Sequence, residues 1–106
     1  MKHRLSQETQ TMLSKIQVSG LVSRNVTIHG RRTSIRLEPE MWDALYEIAS
    51  EEKCSIHEIC SAVKEIKEDE TSFTAAIRVF IMLYYKTKPV SREGRRIMHS
   101  ARRLVD

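Results

Sequence analysis

Glycine and proline are scarce, with three and two residues in a chain of 106. With 30% charged and 41% hydrophobic residues, that scarcity argues against a disordered or loop-dominated chain and for a folded, helix-leaning one. Cysteine is equally sparse. Cys54 and Cys60 are too few for a disulfide framework, so a reducing cytoplasm is the expected setting. Long apolar runs are missing. The longest, Val79 to Tyr85, has seven residues, whereas about 18 are needed to cross a bilayer. The opening MKHRLSQETQ lacks the apolar stretch of a secretory signal. A membrane protein, a disulfide-stapled toxin and a large multidomain enzyme are therefore not expected. The length allows one domain with short tails, and so modest a core makes oligomerisation a natural remedy.

The charge is unevenly placed. Residues 1–38 carry seven Lys/Arg against two Asp/Glu, residues 39–70 three against ten, and residues 71–106 eight against two. The net charge is +4, but the order basic, acidic, basic is more informative. Basic blocks on a small chain suit a polyanionic partner, nucleic acid being the commonest; solvated charged faces are the plain alternative.

Residues 1–24 are polar, with Met12, Leu13 and Ile16 on one side of a short helix that Gly20 would end. This segment reads as an arm, ordered when it docks. From residue 25 the period becomes two. Val26 and Ile28 alternate with Thr27 and His29, and Thr33, Ile35 and Leu37 alternate with Arg32, Ser34 and Arg36, which predicts a strand or hairpin with a turn at Gly30. Pro39 opens a helix over 39–53, with Met41, Leu45 and Ile48 on one face. Ser55-Ile56-His57-Glu58 is a capping-box pattern opening a second helix over 55–66. Thr71 or Ser72 caps a third over 72–87. That helix is apolar nearly all round and needs burial nearly all round. The two shorter helices cannot wrap it, so it is expected to pack against its twin in a dimer. Residues 88–106 form a basic tail.

Catalytic patterns are absent. There is no Gly-rich phosphate loop, HExxH or GxSxG, and His29 and His99 read as surface residues. Cys54-x2-His57-x2-Cys60 has a spacing that could seat a metal, but Cys60 falls on an apolar stripe and no fourth ligand is evident. No enzyme activity, metal or cofactor is expected.

The strand entering a helix at a proline, followed by further helices, resembles the ribbon-helix-helix DNA-binding proteins, and within them a small bacterial subgroup. The resemblance rests on Val26-Thr27-Ile28, on Gly30 through Glu40 (GRRTSIRLEPE), on Trp42-Asp43-Ala44-Leu45, and on Ala75 through Phe80 (AAIRVF). It covers about residues 25–86. One helix more than the simple family pattern lies between the first helix and the apolar one. The resemblance implies a mostly α fold with a short β-ribbon, as an intertwined homodimer in which each protomer gives one strand to an antiparallel two-stranded sheet. Residues 25–87 would be the dimerisation and DNA-binding domain, flanked by the arm 1–24 and the tail 88–106.

Arg32, Ser34 and Arg36 would then face double-stranded DNA in the major groove as base contacts, since the groove admits a two-stranded ribbon and Arg pairs bidentately with guanine. Arg31, Ser55, Thr71 and Ser72 are candidate phosphate contacts. Ordinary capping is the simpler role for the hydroxyls, and the acidic residues around Ser55 and Ser72 disfavour DNA there. Ile35, Leu37, Trp42, Leu45, Phe73, Ile77, Phe80 and Tyr84 would form the dimer core. The expected function is sequence-specific DNA binding by a transcriptional regulator, homodimeric or of higher order on DNA and without a membrane partner. The rival is a helical adaptor, antitoxin-like, that binds another protein.

Overall fold

A computed structural model of the chain describes residues 4–16 and 20–88. Ser6 caps helix α1 (Gln7–Ser14), its hydroxyl accepting from the Thr9 amide at 3.1 Å. None of α1 is buried, and Met12, Leu13 and Ile16 are exposed.

Strands β1 (Val22–Ile28) and β2 (Arg31–Leu37) pair antiparallel as one two-stranded sheet. The turn between them is His29-Gly30, with φ of +49° and +79°. Two consecutive left-handed residues match the twist of a two-residue hairpin, and glycine at the second is favourable because it has no Cβ. The register runs from Val22 opposite Leu37 to Ile28 opposite Arg31. The antiparallel pair expected from the sequence is therefore present, but both strands come from one chain instead of one from each of two protomers. The cause lies in residues 22–24, read from the sequence as part of the arm. Arg24 breaks the apolar alternation, yet it sits on the helix-facing side, its guanidinium carbon 5.7 Å from the Trp42 ring and 5.8 Å from the Tyr46 ring. A cation over aromatic faces can occupy a position the period-two pattern reserves for an apolar side chain.

Helix α2 (Pro39–Glu52) starts with proline in its first turn. It stops at Lys53, whose φ is +55°. The Cys54 amide reaches the Ala49 carbonyl at 2.9 Å and the Lys53 amide the Ser50 carbonyl at 3.2 Å, the paired bonds of a Schellman ending. Ser55 caps α3 (Ile56–Ile66), accepting from the Glu58 amide at 3.1 Å. Ser72 caps α4 (Phe73–Thr87), accepting from the Ala75 amide at 3.0 Å. These helices agree with the three read from periodicity.

The core joins one face of the hairpin to three helices. Val26, Ile28, Ile35 and Leu37 meet Trp42, Leu45 and Ile48 of α2, Ile59, Cys60 and Val63 of α3, and Ile77, Ile81 and Tyr84 of α4. The Trp42 indole donates to the Val22 carbonyl at 2.9 Å and ties α2 to the start of β1. Arg78 of α4 is bonded to Glu38 at 3.0 Å, Tyr84 donates to Glu52 at 2.5 Å, and Tyr85 donates to Glu47. These bonds hold α4 against α2.

The residues assigned to a dimer core also have places within the single chain. Ile35, Leu37, Trp42, Leu45, Ile77 and Tyr84 are buried within the single chain, with Phe73 and Phe80 half-buried against them. The short helices wrap one side of α4 more completely than their length suggested, because the hairpin adds a third wall. What stays uncovered is a different set: Val79, Met82 and Leu83 on α4, and Ile66 at the end of α3, 82% exposed. Apart from Lys88, the basic tail 88–106 lies outside the described residues. Among the described residues no helix is long and apolar enough to cross a membrane.

Candidate nucleic-acid interface

The hairpin has one face against the helices and one facing out. Strand alternation sends Ser23, Asn25 and Thr27 of β1 and Arg32, Ser34 and Arg36 of β2 to the outer face, and all six are exposed. Across the strands Ser23 faces Arg36, Asn25 faces Ser34, and Thr27 faces Arg32. The Ser23 and Ser34 hydroxyls share a hydrogen bond of 2.9 Å on the diagonal. Residues 21–37 contain no Asp or Glu, and of their four Arg two, Arg32 and Arg36, lie on the outer face, so that face is basic without internal neutralisation. Neither Arg32 nor Arg36 has an acidic partner among the described residues. The result is a flat sheet of short polar side chains flanked by guanidinium groups, suited to donate hydrogen bonds to anionic or acceptor-rich edges.

Each candidate contact has a definite place. Arg32, Ser34 and Arg36 come together in one row, as the alternation implied. Ser23, Asn25 and Thr27 were not assigned to the site from sequence, because the register of β1 on β2 has no signal in the period of either strand alone. Arg31 is exposed at the hairpin tip, opposite Ile28, and by alternation belongs to the other face. Ser55 caps α3 next to β1, where His57 accepts a hydrogen bond from the Thr27 amide at 2.9 Å through Nδ1. Thr71 and Ser72 lie at the start of α4, and their hydrogen bonds are local: the Thr71 amide donates to the Glu68 carbonyl at 3.0 Å, and the Ser72 hydroxyl accepts from the Ala75 amide.

Cys54, His57 and Cys60 do not converge on a metal site; among the described residues no cluster of three or more His, Cys, Asp or Glu could hold an ion. Cys60 is fully buried, and burial pushes its thiol up to about 11. It is a core side chain, inert at neutral pH.

Residues 21–85, more than half of the chain, match a protein family described as a ribbon-helix-helix domain. No curated protein and no solved structure matches the chain.

Proposed function

The chain belongs to the ribbon-helix-helix domain family, and from that premise we propose that it is a homodimeric, sequence-specific DNA-binding protein acting in transcriptional regulation. Domains of this family generally bind DNA, and do so as dimers. The observation that carries the reading is the outer face of the hairpin, with Arg32, Ser34 and Arg36 in one exposed row and no acid among them. A β-ribbon fits the major groove, Arg reads guanine O6 and N7, and Ser donates to or accepts from several bases. Of the candidate helix starts, Ser55 of α3 stands beside β1, though Glu51, Glu52 and Glu58 around it oppose a phosphate; the starts at Thr71 and Ser72 have no comparable link to the hairpin.

The uncovered apolar residues of α4 support the dimer. Val79, Met82 and Leu83 are each more than half exposed, a stripe that a second copy would cover. The adaptor reading gives the same stripe to a different protein. Selection from random duplex DNA followed by titration at two salt concentrations tests the proposal. A selected motif bound with affinity falling steeply as salt rises is expected, because phosphate contacts release counterions. A folded dimer that retains no DNA at low salt would move the adaptor reading ahead.

A further inference from the structure

Helix α4 ends beside an open cleft. Between α2, α3 and the last turns of α4 lies a space of about 260 Å³, walled by Ile59, Ala62, Phe80 and Tyr84 and rimmed by Glu52 and Glu58. Its walls are apolar and its rim is acidic. Burial, then the charges of Glu58 and Glu52, push the Cys54 thiol in its lining above the ordinary value. Glu52 holds one cation, the Lys88 ammonium at 2.7 Å, whereas Glu58 has none among the described residues. The Lys88 bond places the end of α4 at the rim.

We infer that residues 95–105, which follow α4 on the same chain, dock in this cleft as a short amphipathic helix. The sequence supplies both matching surfaces. Ile97, Met98, Ala101, Leu104 and Val105 fall at helical spacing on one stripe. At about 100° per residue, Arg95 and Arg102 border that stripe, and Arg96 and Arg103 lie behind it. Charge agrees with shape. Residues 89–106 carry five Arg against Glu93 and Asp106, and residues 39–70, which include α2 and α3, carry ten acids against three Lys.

The connection has a suitable length. Pro89 cannot continue α4, and six residues, 89–94, then separate the two helices, within the roughly 2–8 usual between neighbouring antiparallel helices. Fully extended, they reach about 20 Å. A helix over 95–105 is about 16 Å long, against about 6 Å from Tyr84 to Phe80 along α4. A segment tethered this closely has an effective concentration in roughly the millimolar range, which favours its own cleft over that of another copy. The cleft takes Phe80 and Tyr84 from α4 and leaves the exposed Val79, Met82 and Leu83 uncovered. Docked arginines lie against Glu52 and Glu58, so the start of α3 at Ser55 loses part of its negative surround.

A nitroxide on the tail of the full chain, without DNA, tests the docking by nuclear magnetic resonance. In a Cys54→Ser background the remaining Cys60 is buried, and His99→Cys carries the tag on the side of the helix away from the stripe. The amides of Ala62, Phe80 and Tyr84 are expected to lose signal by paramagnetic broadening, and that of Gly30 at the hairpin tip to keep it. Leu104→Asp puts a charge in the stripe and should return the lost signal. Glu58→Lys opposes the arginine border and should return part of it. Broadening that is absent, spread evenly over the chain, or left unchanged by either variant overturns the docking. Equal broadening in a refolded mixture of tagged chains and untagged, isotope-labelled chains gives the cleft to the tail of another copy and overturns docking within one chain.

Discussion

The amide of Thr27 donates to Nδ1 of His57 at 2.9 Å, so a helix side chain stops one edge of the hairpin. An unpaired strand edge is a template for further strands. An imidazole that accepts from the edge amide removes one of its donors. The same bond fixes the position of α3 relative to β1.

His57→Ala is expected to speed hydrogen exchange of the Thr27 amide by roughly five- to tenfold, the equivalent of about 1 kcal/mol for one hydrogen bond. Amides in the bonded ladder, such as that of Val26, should change less. Unaltered Thr27 exchange in a folded His57→Ala protein would show that the bond does not form in solution.

Two left-handed positions predict opposite signs. Gly30 has φ +79° and open space where a Cβ would go, so Gly30→Ala meets backbone strain alone and should cost about 1 kcal/mol. Lys53 has φ +55° at the end of α2, where glycine is preferred, and Lys53→Gly should stabilise by about 1 kcal/mol. Urea denaturation reads both. Equal signs would contradict the turn or the helix ending.

Stability should fall toward both acid and alkali. Bonds from the backbone and from Arg78 hold Glu38 below its ordinary value of 4.5. Bonds from Lys88 and Tyr84 do the same for Glu52. A depressed carboxyl stabilises above its unfolded value, and that contribution is lost as pH falls through the folded one. In the other direction burial raises Cys60 from 9.0 to about 11, and burial, then Glu52, raises Tyr84. Raised groups stabilise fully below their unfolded values and lose that contribution as pH climbs past them. Thermal melts should give a plateau between about pH 5 and pH 9. Glu52→Gln should shrink the acid-side loss, and a decline unchanged by it would remove Glu52 from the account.

Much of the fold was legible because its signals are local. Pro39, the Ser55 and Ser72 caps and the helical spacing of Ile59, Cys60 and Val63 each act within one turn of chain. The outward row Arg32, Ser34, Arg36 was legible from alternation alone. The partner of β2 was not. Arg24 on the inner face hides the start of β1, and its place depends on Trp42 and Tyr46, about 20 residues away in the chain. The core residues were recognised as apolar, but which of them a second copy covers depends on how the hairpin closes over α4. The half of the outer face contributed by Ser23, Asn25 and Thr27 followed only once the register was known.

That outer face predicts a graded response to substitution. Arg36 lies near Pro39 and the start of α2, which fix the direction of the strand end. Arg32 lies two residues from Gly30, near the tip. Arg36→Ala should therefore remove sequence discrimination, by about 1–3 kcal/mol for each good base contact. Arg32→Ala should weaken selected and scrambled duplexes more evenly and lower the salt slope by about one for each phosphate no longer neutralised. Asn25→Ala, on β1, should weaken both duplexes equally and leave discrimination intact. Ile35→Ala is the folding control: its side chain is 2% exposed, and truncation should cost about 2–5 kcal/mol of stability. Titrations on a selected site and a scrambled duplex at two salt concentrations separate the four variants. If Arg36→Ala folds normally and discriminates as well as the unaltered chain, β2 is not the reading strand. If Asn25→Ala alone abolishes discrimination, β1 and not β2 is the reading strand.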